Sequence, residues 1–243
     1  MFTPDPSISA FVTLSAHVSP HVVKTTTGDF LITWYLDGMP FVGREEWELE
    51  HRHKTFNNLL QTLRAPDYVN VAFWVHDVRR RRRINMPGRF DEAFNQQASD
   101  EYFERLSSRK VMQNELYFTM VYRPVVEGKR FIEKSTNLER LRAEQDQAVA
   151  KINELATNVE AVLHDYSPYR LGMYESASGM VFSEVLEFFS YLINRMDEPV
   201  PVLSAPIYNY LPVAKHIFSP KGGDYIIRTP EGRNHYGAIL NIK

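Results

Sequence analysis

A run of apolar residues at helical spacing in the second half of the chain limits the fold more than any other feature. Between residues 135 and 166 the apolar positions are mostly three or four residues apart: Leu138, Leu141, Ala148, Ile152, Leu155, Val159, Val162 and Tyr166. This spacing places them on one face of a long helix. Alanine and glutamine interrupt the run, so packing on a sheet is favoured over an isolated coiled coil.

Two segments supply the strands that such a helix would cover. ELYFTMVYRP, over residues 115–124, is rich in tyrosine, phenylalanine and valine and ends at Pro124. YVNVAFWVHDV, over residues 68–78, alternates apolar and polar side chains, as a strand with one buried face does. We therefore predict two strands that contribute to the sheet.

Hairpins are expected near both ends of the chain. Residues 21–43 predict a β-meander that turns at TTTGD and again at Asp37-Gly38, a favoured two-residue hairpin turn. Residues 169–175 predict a single further strand. The C-terminal segment predicts a final hairpin around TPEGRN, at residues 229–234.

Three more helices complete the predicted elements. Phe56, Leu59, Leu60 and Leu63 recur at helical spacing within residues 44–66. Residues 91–109 predict a second helix. Residues 183–196 predict a third, with Ser183 as N-cap and an apolar stripe formed by Val185, Phe188, Phe189, Leu192, Ile193 and Met196. Interleaved helices and hairpins favour an α+β fold with a mixed, largely antiparallel sheet.

Length and composition favour one domain over residues 1–243, with a candidate internal boundary near residues 125–135. The chain is 44% hydrophobic and has a net charge of −2, which argues against a surface built throughout for polyanions. The absence of cysteine excludes disulfides and thiolate sites. The first residues, MFTPDPSISAF, lack the basic start and unbroken apolar stretch of a signal peptide, and no apolar run reaches the roughly 18 residues that span a bilayer.

Motifs for catalysis, nucleotide binding and metal binding are absent from the sequence. There is no GxxxxGK[ST], GxGxxG, HExxH or GxSxG pattern. His17 and His21 have ligand spacing, but Pro20 lies between them. Ser176 and Ser178 are interpreted as loop or capping serines. We predict no catalytic, nucleotide-binding or metal-binding residue in this chain.

Five consecutive arginines, Arg79, Arg80, Arg81, Arg82 and Arg83, follow the strand at residues 68–78. On a strand they alternate between two faces, so at most three share one. A solvated strand end is the simplest interpretation. A docking patch for anionic lipid or an acidic protein is the second, and a nucleic-acid site with Trp74 and Tyr122 as stacking platforms is the third.

The order of segments resembles the N-terminal domain of the CagE/TrbE/VirB family, the large ATPases of bacterial type IV secretion and conjugation systems. GDFLITWYLDGMPF (28–41) resembles the family's early hairpin, and HDVRRRRR (76–83) its basic strand exit. NELYFTMVYRP (114–124) is the most specific match. FSEVLEFFSYLIN (182–194) and YGAILNIK (236–243) resemble the late helix and last strand. The resemblance covers nearly the whole chain.

The resemblance implies a docking and oligomerisation module at the cytoplasmic face of the bacterial inner membrane. Its expected partners are inner-membrane subunits of the secretion machine, other ATPase protomers and an anionic lipid surface, whereas DNA binding is not expected. The full-length ATPase would energise pilus biogenesis and the transfer of DNA or protein. ATP and Mg²⁺ would belong to a C-terminal ATPase domain beyond Lys243, so we expect no cofactor here.

Overall fold

The computed structural model describes residues 7–38, 42–62, 69–82, 88–108, 111–124, 138–213, 216–218 and 224–238. The helices within these ranges are α1 Glu46–Thr62, α2 Ala93–Ser108, α3 Leu138–Leu163, α4 Glu184–Asn194 and α5 Ile207–Tyr210. The strands are β1 Leu14–Ser19, β2 Val22–Thr25, β3 Phe30–Leu36, β4 Val71–Arg82, β5 Val111–Tyr122, β6 Pro168–Arg170, β7 Met173–Glu175, β8 Val181–Ser183, β9 His216–Phe218, β10 Asp224–Arg228 and β11 Asn234–Ala238.

One sheet organises the fold, with strand order β1-β2-β3-β5-β4 and with β6 paired to the end of β3. Each of these pairs is antiparallel. A β7–β8 hairpin and a β11-β10-β9 sheet lie outside it, and both are antiparallel as well. The predicted α+β class with largely antiparallel sheets is therefore confirmed.

Helices cover both faces of the main sheet. On one face, Trp34 and Phe118 belong to the same buried cluster as Ile152 and Val159 of α3. On the other, Leu31, Tyr117 and Val121 share a cluster with residues of α4 and α5 such as Val185 and Ile207. The predicted long helix thus packs on the sheet. Two residues of its predicted apolar stripe, Leu138 and Leu141, remain exposed.

The predicted N-cap of α4 is confirmed. The Ser183 hydroxyl accepts a hydrogen bond from the Leu186 backbone N–H at 3.2 Å, which pairs one of the free N–H groups of the first turn. The helix ends where Arg195 adopts a left-handed conformation at φ 58°. Since Val185, Phe188 and Phe189 are all buried, the predicted stripe fixes how α4 lies on the sheet.

Strands β4 and β5 form a ribbon that extends beyond the rest of the sheet. The last β3 residue to pair with β5 is Leu36, opposite Leu116. The β4–β5 register continues from there to Arg82 opposite Val111, and α2 lies in the connection between the two strands. We call residues 71–122 the β4–α2–β5 arm. Four of the five arginines, residues 79–82, therefore belong to the part of β4 that extends beyond β3.

Two local predictions were wrong. No described strand pairs back onto β3 after Asp37-Gly38, because β5 and β6 already occupy both edges of β3 at residues 34–36. The strand predicted at 169–175 divides into β6 and β7. The division follows from its partners, since the Leu171 N–H donates to Thr33 of β3 and the Met173 N–H donates to Pro20.

The other predicted helices and the C-terminal hairpin are confirmed. Helices α1, α2 and α4 lie inside the predicted ranges 44–66, 91–109 and 183–196, and α3 lies inside 135–166. The β10–β11 hairpin turns between Arg228 and Asn234, as TPEGRN predicts. The candidate boundary near residues 125–135 lies outside the described residues.

Candidate docking surface

The predicted docking patch does not present its arginines as one surface. Arg79 is exposed, whereas Arg80 is only 9% exposed. The two side chains point to opposite faces of β4 because successive strand residues alternate. Arg81 and Arg82 continue the strand in register with Met112 and Val111, and Arg83 lies outside the described residues.

Arg80 reaches into the interior between the ribbon and the end of α4. Its Nε lies 3.0 Å from Oε2 of Glu115, and its Nη1 donates to Asp197 at 2.6 Å. The guanidinium carbon lies 3.8 Å from the centre of the Tyr191 ring, a cation–π distance. Arg80 is thus a structural contact between the arm and the segment that follows α4.

A tyrosine completes this charged cluster. The Tyr117 hydroxyl donates to Oε2 of Glu115 at 2.9 Å. Burial first, and then the Glu115 carboxylate, raise the pKa of Tyr117 far above its ordinary value. The phenol therefore stays protonated, as a hydrogen-bond donor must. Since Glu115 is only 1% exposed, its charge is offset by Arg80 and Tyr117 rather than by water.

Large apolar side chains are exposed along the same arm. On α2, Phe94 is 79% exposed and Tyr102 is 61% exposed. No α2 residue whose side chain the structure describes is buried. On β4, Trp74 and Val75 are also exposed. The arm therefore combines apolar surface with an exposed arginine, which is typical of a protein-binding surface.

Other candidate sites offer less chemistry. Among the described residues, no group of three or more histidine, aspartate or glutamate side chains could hold a metal ion. Ser176 and Ser178 lie in the turn between β7 and β8, where their hydroxyls are 2.9 Å apart and exposed. That position is a hairpin loop rather than a strand-to-helix elbow. The described helices include none that is long and apolar enough to cross a membrane.

Two family models match the chain in succession. Residues 21–129 match "Type IV secretion system ATPase VirB4/TrbE, N-terminal domain". Residues 169–243 match "CagE, TrbE, VirB family, component of type IV transporter system". The chain belongs to the CagE/TrbE/VirB family. The match of the first model further shows that it contains the N-terminal domain of a type IV secretion ATPase of this family.

Curated relatives agree with this assignment. The chain is 30% identical over 214 residues to the type IV secretion system protein virB4 of Brucella suis biovar 1, covering 84% of this chain and 25% of the relative. It is 28% identical over 213 residues to the type IV secretion system protein PtlC of Bordetella pertussis, with the same shares covered. The virB4 protein of Bartonella quintana is 26% identical over 192 residues, 76% of this chain and 24% of the relative. The chain thus spans about a quarter of the length of these relatives.

The segment that most resembles the CagE/TrbE/VirB family, NELYFTMVYRP, has structural roles at both ends. Glu115 holds Arg80 at one end. At the other, Arg123 forms a two-pronged ion pair with Asp29, Nε to Oδ1 at 2.7 Å and Nη2 to Oδ2 at 2.9 Å. Asp29 belongs to the turn between β2 and β3. Sequence reasoning missed both partners, since each pairing joins residues far apart in the chain.

Proposed function

We propose that this chain is the docking and assembly part of a type IV secretion ATPase and performs no catalysis itself. It would lie at the cytoplasmic face of the inner membrane and contact membrane subunits of the secretion machine and neighbouring ATPase protomers. Nucleotide hydrolysis, with ATP and Mg²⁺, would belong to the remaining part of the longer protein. The whole protein would energise pilus biogenesis and the transfer of DNA or protein.

The observation that carries this proposal is the exposed helix α2 on its projecting ribbon. An isolated helix of this length is marginally stable in water, and helices in proteins gain most of their stability by burying an apolar face. α2 instead leaves Phe94 and Tyr102 exposed. Burial of a phenylalanine side chain is favourable by about 1.5–3 kcal/mol, so a partner that covers this helix gains binding energy.

The rest of the main sheet does not offer a comparable surface. α3 covers one face with a continuous buried cluster, and α4 and α5 cover the other. The two clusters contain the largest fully buried side chains, including Trp34, Ile152 and Leu186. On the main sheet, the arm therefore offers exposed apolar side chains that a partner can cover.

The alternative of a nucleic-acid site receives no support from the geometry. Trp74 lies opposite Thr119 in the β4–β5 register, and the Thr119 hydroxyl forms a hydrogen bond with that of Thr33. These side chains lie on the α4 side of the sheet. Tyr122 lies on the other side, where it packs against the cluster that contains α3. The two proposed stacking platforms thus lie on opposite faces of the sheet. Arg80 is buried and paired with Glu115, so the arginine run does not form one continuous basic surface. A strand of nucleic acid needs stacking platforms and cations along one path.

The test is to change the exposed aromatics of α2 in the native host. We expect Phe94→Ser with Tyr102→Ser to reduce membrane association of the protein and substrate transfer, because the partner loses apolar contact area. The matched control is Phe11→Ser, which changes another exposed aromatic outside the arm. Thermal unfolding of the purified chain should be nearly unchanged in both variants. Normal membrane association and transfer in the Phe94/Tyr102 variant would refute the proposal.

A further inference from the structure

We propose that the outer edge of β4 binds an extended acidic segment of a partner protein, which adds a strand to the main sheet. The inference rests on the proposed docking function and specifies the chemistry of one partner. It differs from the contact proposed for α2, because it depends on main-chain hydrogen bonds along an edge strand. Such strand addition is a common way for a folded domain to bind an extended peptide.

The edge of β4 is long and regular. Within the described part of the chain, β4 pairs with β5 alone, and this pairing continues without a register shift over all 12 residues of the strand. The opposite edge of the sheet differs, because the six-residue β1 pairs with β2 through two register irregularities. Short and bulged edges discourage strand addition, whereas a long regular edge presents a continuous row of N–H and C=O groups.

The side chains along β4 define what an added strand would contact. Val75 is 59% exposed on one face of the sheet, and Trp74 is 46% exposed on the other. Farther along the strand, Arg79 is exposed on the same face as Val75. A matching strand therefore has apolar residues in the half that lies beside Trp74 and Val75 and a carboxylate in the half that lies beside Arg79.

A second copy of β4 fits this edge poorly. Antiparallel pairing of two copies over their full length would set Arg79 against Trp74 and Arg82 against Val71. Parallel pairing in register would set arginine against arginine, which is unfavourable. Asp77 is the single carboxylate on β4, so neither arrangement gives the arginines acidic partners. The charges therefore favour a different, acidic chain.

An anionic membrane also fits less well than an acidic strand. A lipid surface attracts cations that project together from one face of a protein. Here Arg80 turns to the opposite face from Arg79 and is held by Glu115 and Asp197. A strand that lies beside β4 can place a carboxylate next to Arg79 on the same face of the sheet, because its own side chains alternate with the same period of two.

The decisive experiment measures amide exchange along β4 in the 243-residue chain by NMR. The probe is a capped synthetic peptide as long as β4, with glutamates at alternate positions in one half and valines at alternate positions in the other. We expect binding to slow exchange at alternate residues of β4, since every second N–H points away from β5. Arg79→Glu should weaken peptide binding about tenfold or more, whereas the control Arg142→Glu, at an exposed position of α3, should leave it unchanged.

Any of the following outcomes would overturn the proposal that an acidic strand adds to the edge of β4. Peptide binding without slowed exchange in β4 would mean attraction by charge alone. Protection of the same amides at high protein concentration without peptide would identify a second copy as the occupant. Binding to anionic phosphatidylserine vesicles but not to the peptide would identify lipid. If the peptide fails while the Phe94/Tyr102 variant still loses membrane association, the strand-addition model is wrong and the docking function stands.

Discussion

The Nε atom of Arg80 lies 3.0 Å from Oε2 of Glu115, and both side chains are buried between the ribbon and the end of α4. The Nε–H does not align with the carboxylate as a hydrogen bond, so the contact is an ion pair. Nη1 donates to Asp197, which is largely exposed. The pair thus joins β4, β5 and the segment after α4 through a single guanidinium.

This relationship predicts that two adjacent arginines contribute very differently to stability. Arg80→Ala leaves the Glu115 charge buried without its cation, which costs about 3–5 kcal/mol in comparable sites. Arg79→Ala changes an exposed side chain on the other face and should cost less than about 0.5 kcal/mol. Urea unfolding of the two variants measures both free energies of unfolding.

A double variant separates the ion pair from packing. Arg80→Met with Glu115→Gln removes both charges while it keeps side chains of similar length. We expect it to recover part of the stability that Arg80→Ala loses, because no unpaired charge remains buried. Equal destabilisation by Arg79→Ala and Arg80→Ala would contradict the interior placement of Arg80.

The arginine run illustrates what the sequence can predict about this site. Strand alternation predicts correctly that Arg79 and Arg80 face opposite sides. It does not say which side is covered, because the cover comes from α4 and Asp197, more than a hundred positions later in the chain. The burial of Glu115 was not predictable either, because a glutamate is ordinarily exposed to solvent.

The ion pair between Asp29 and Arg123 predicts a pH dependence. Hydrogen bonding to Arg123 holds the pKa of Asp29 below its ordinary value of 3.8, although burial opposes the shift. A lowered carboxyl pKa contributes stability that is complete above the ordinary value and is lost as the pH falls below it. We expect Asp29→Asn to be less stable than the parent near neutral pH.

The measurement is the melting temperature of both proteins at a series of pH values down to about pH 3. The difference between them should shrink as the pH falls, because the parent protonates Asp29 and loses the same interaction. Asp37→Asn, a change of an exposed aspartate at the opposite end of β3, serves as the control. A difference that stays constant down to the lowest pH would assign the effect of Asp29→Asn to something other than charge.

A third prediction concerns the contact between the sheet and α3. The fully buried Trp34 donates its indole N–H to Oε1 of Glu160 at 2.6 Å, and Arg170 donates to the same oxygen at 2.7 Å. Glu160→Leu leaves the indole N–H without an acceptor, at a cost of about 1–3 kcal/mol. Glu160→Gln keeps a carbonyl acceptor and should cost less.

Two readouts distinguish this hydrogen bond from a general loss of packing. Urea unfolding gives the order of stability, which should be parent, Glu160→Gln and then Glu160→Leu. NMR should show faster exchange of the Trp34 indole proton in the leucine variant, since the proton is no longer held by an acceptor. Unchanged exchange in that variant would mean that Glu160 does not restrain the tryptophan.

The limits of sequence reasoning about the fold have a similar cause. The helices were predictable because an apolar stripe repeats within a single segment, as in α4. Pairings between distant segments were not, because β3 joins β5 across about 80 intervening residues and β6 across more than a hundred. The Asp37-Gly38 error arose in the same way, since β5 and β6, both distant in the chain, occupy the two edges of β3 beside this turn.

The last prediction concerns stability in mild acid, to which two half-buried histidines contribute. His17 donates from Nδ1 to the Ser19 carbonyl at 3.3 Å, and its Nε2 forms a hydrogen bond of 2.8 Å with the Ser183 hydroxyl. Nδ1 of His76 is buried without a hydrogen-bond partner, and the ring packs edge-on against Phe188. Burial lowers the pKa of both residues below the ordinary value of 6.5.

The direction of the effect follows from proton uptake. Because the pKa of each histidine is lowered in the folded chain, the unfolded chain binds more protons as the pH falls through 6.5. Their contribution is therefore fully present above that pH and is lost as the pH falls toward the folded-state pKa values. We expect the free energy of unfolding to decrease between about pH 7 and pH 5, before the carboxylates titrate.

Replacing the two rings tests their part in this decrease. His17→Gln keeps polar atoms for Ser19 and Ser183, and His76→Leu removes the unpaired nitrogen, so neither position can gain a proton. The double variant should lose less stability than the parent over the same pH range. His164→Gln is the control, because that ring is 88% exposed beside Asp165. If the double variant and the control lose stability as steeply as the parent, other groups cause the acid sensitivity and the two half-buried histidines do not.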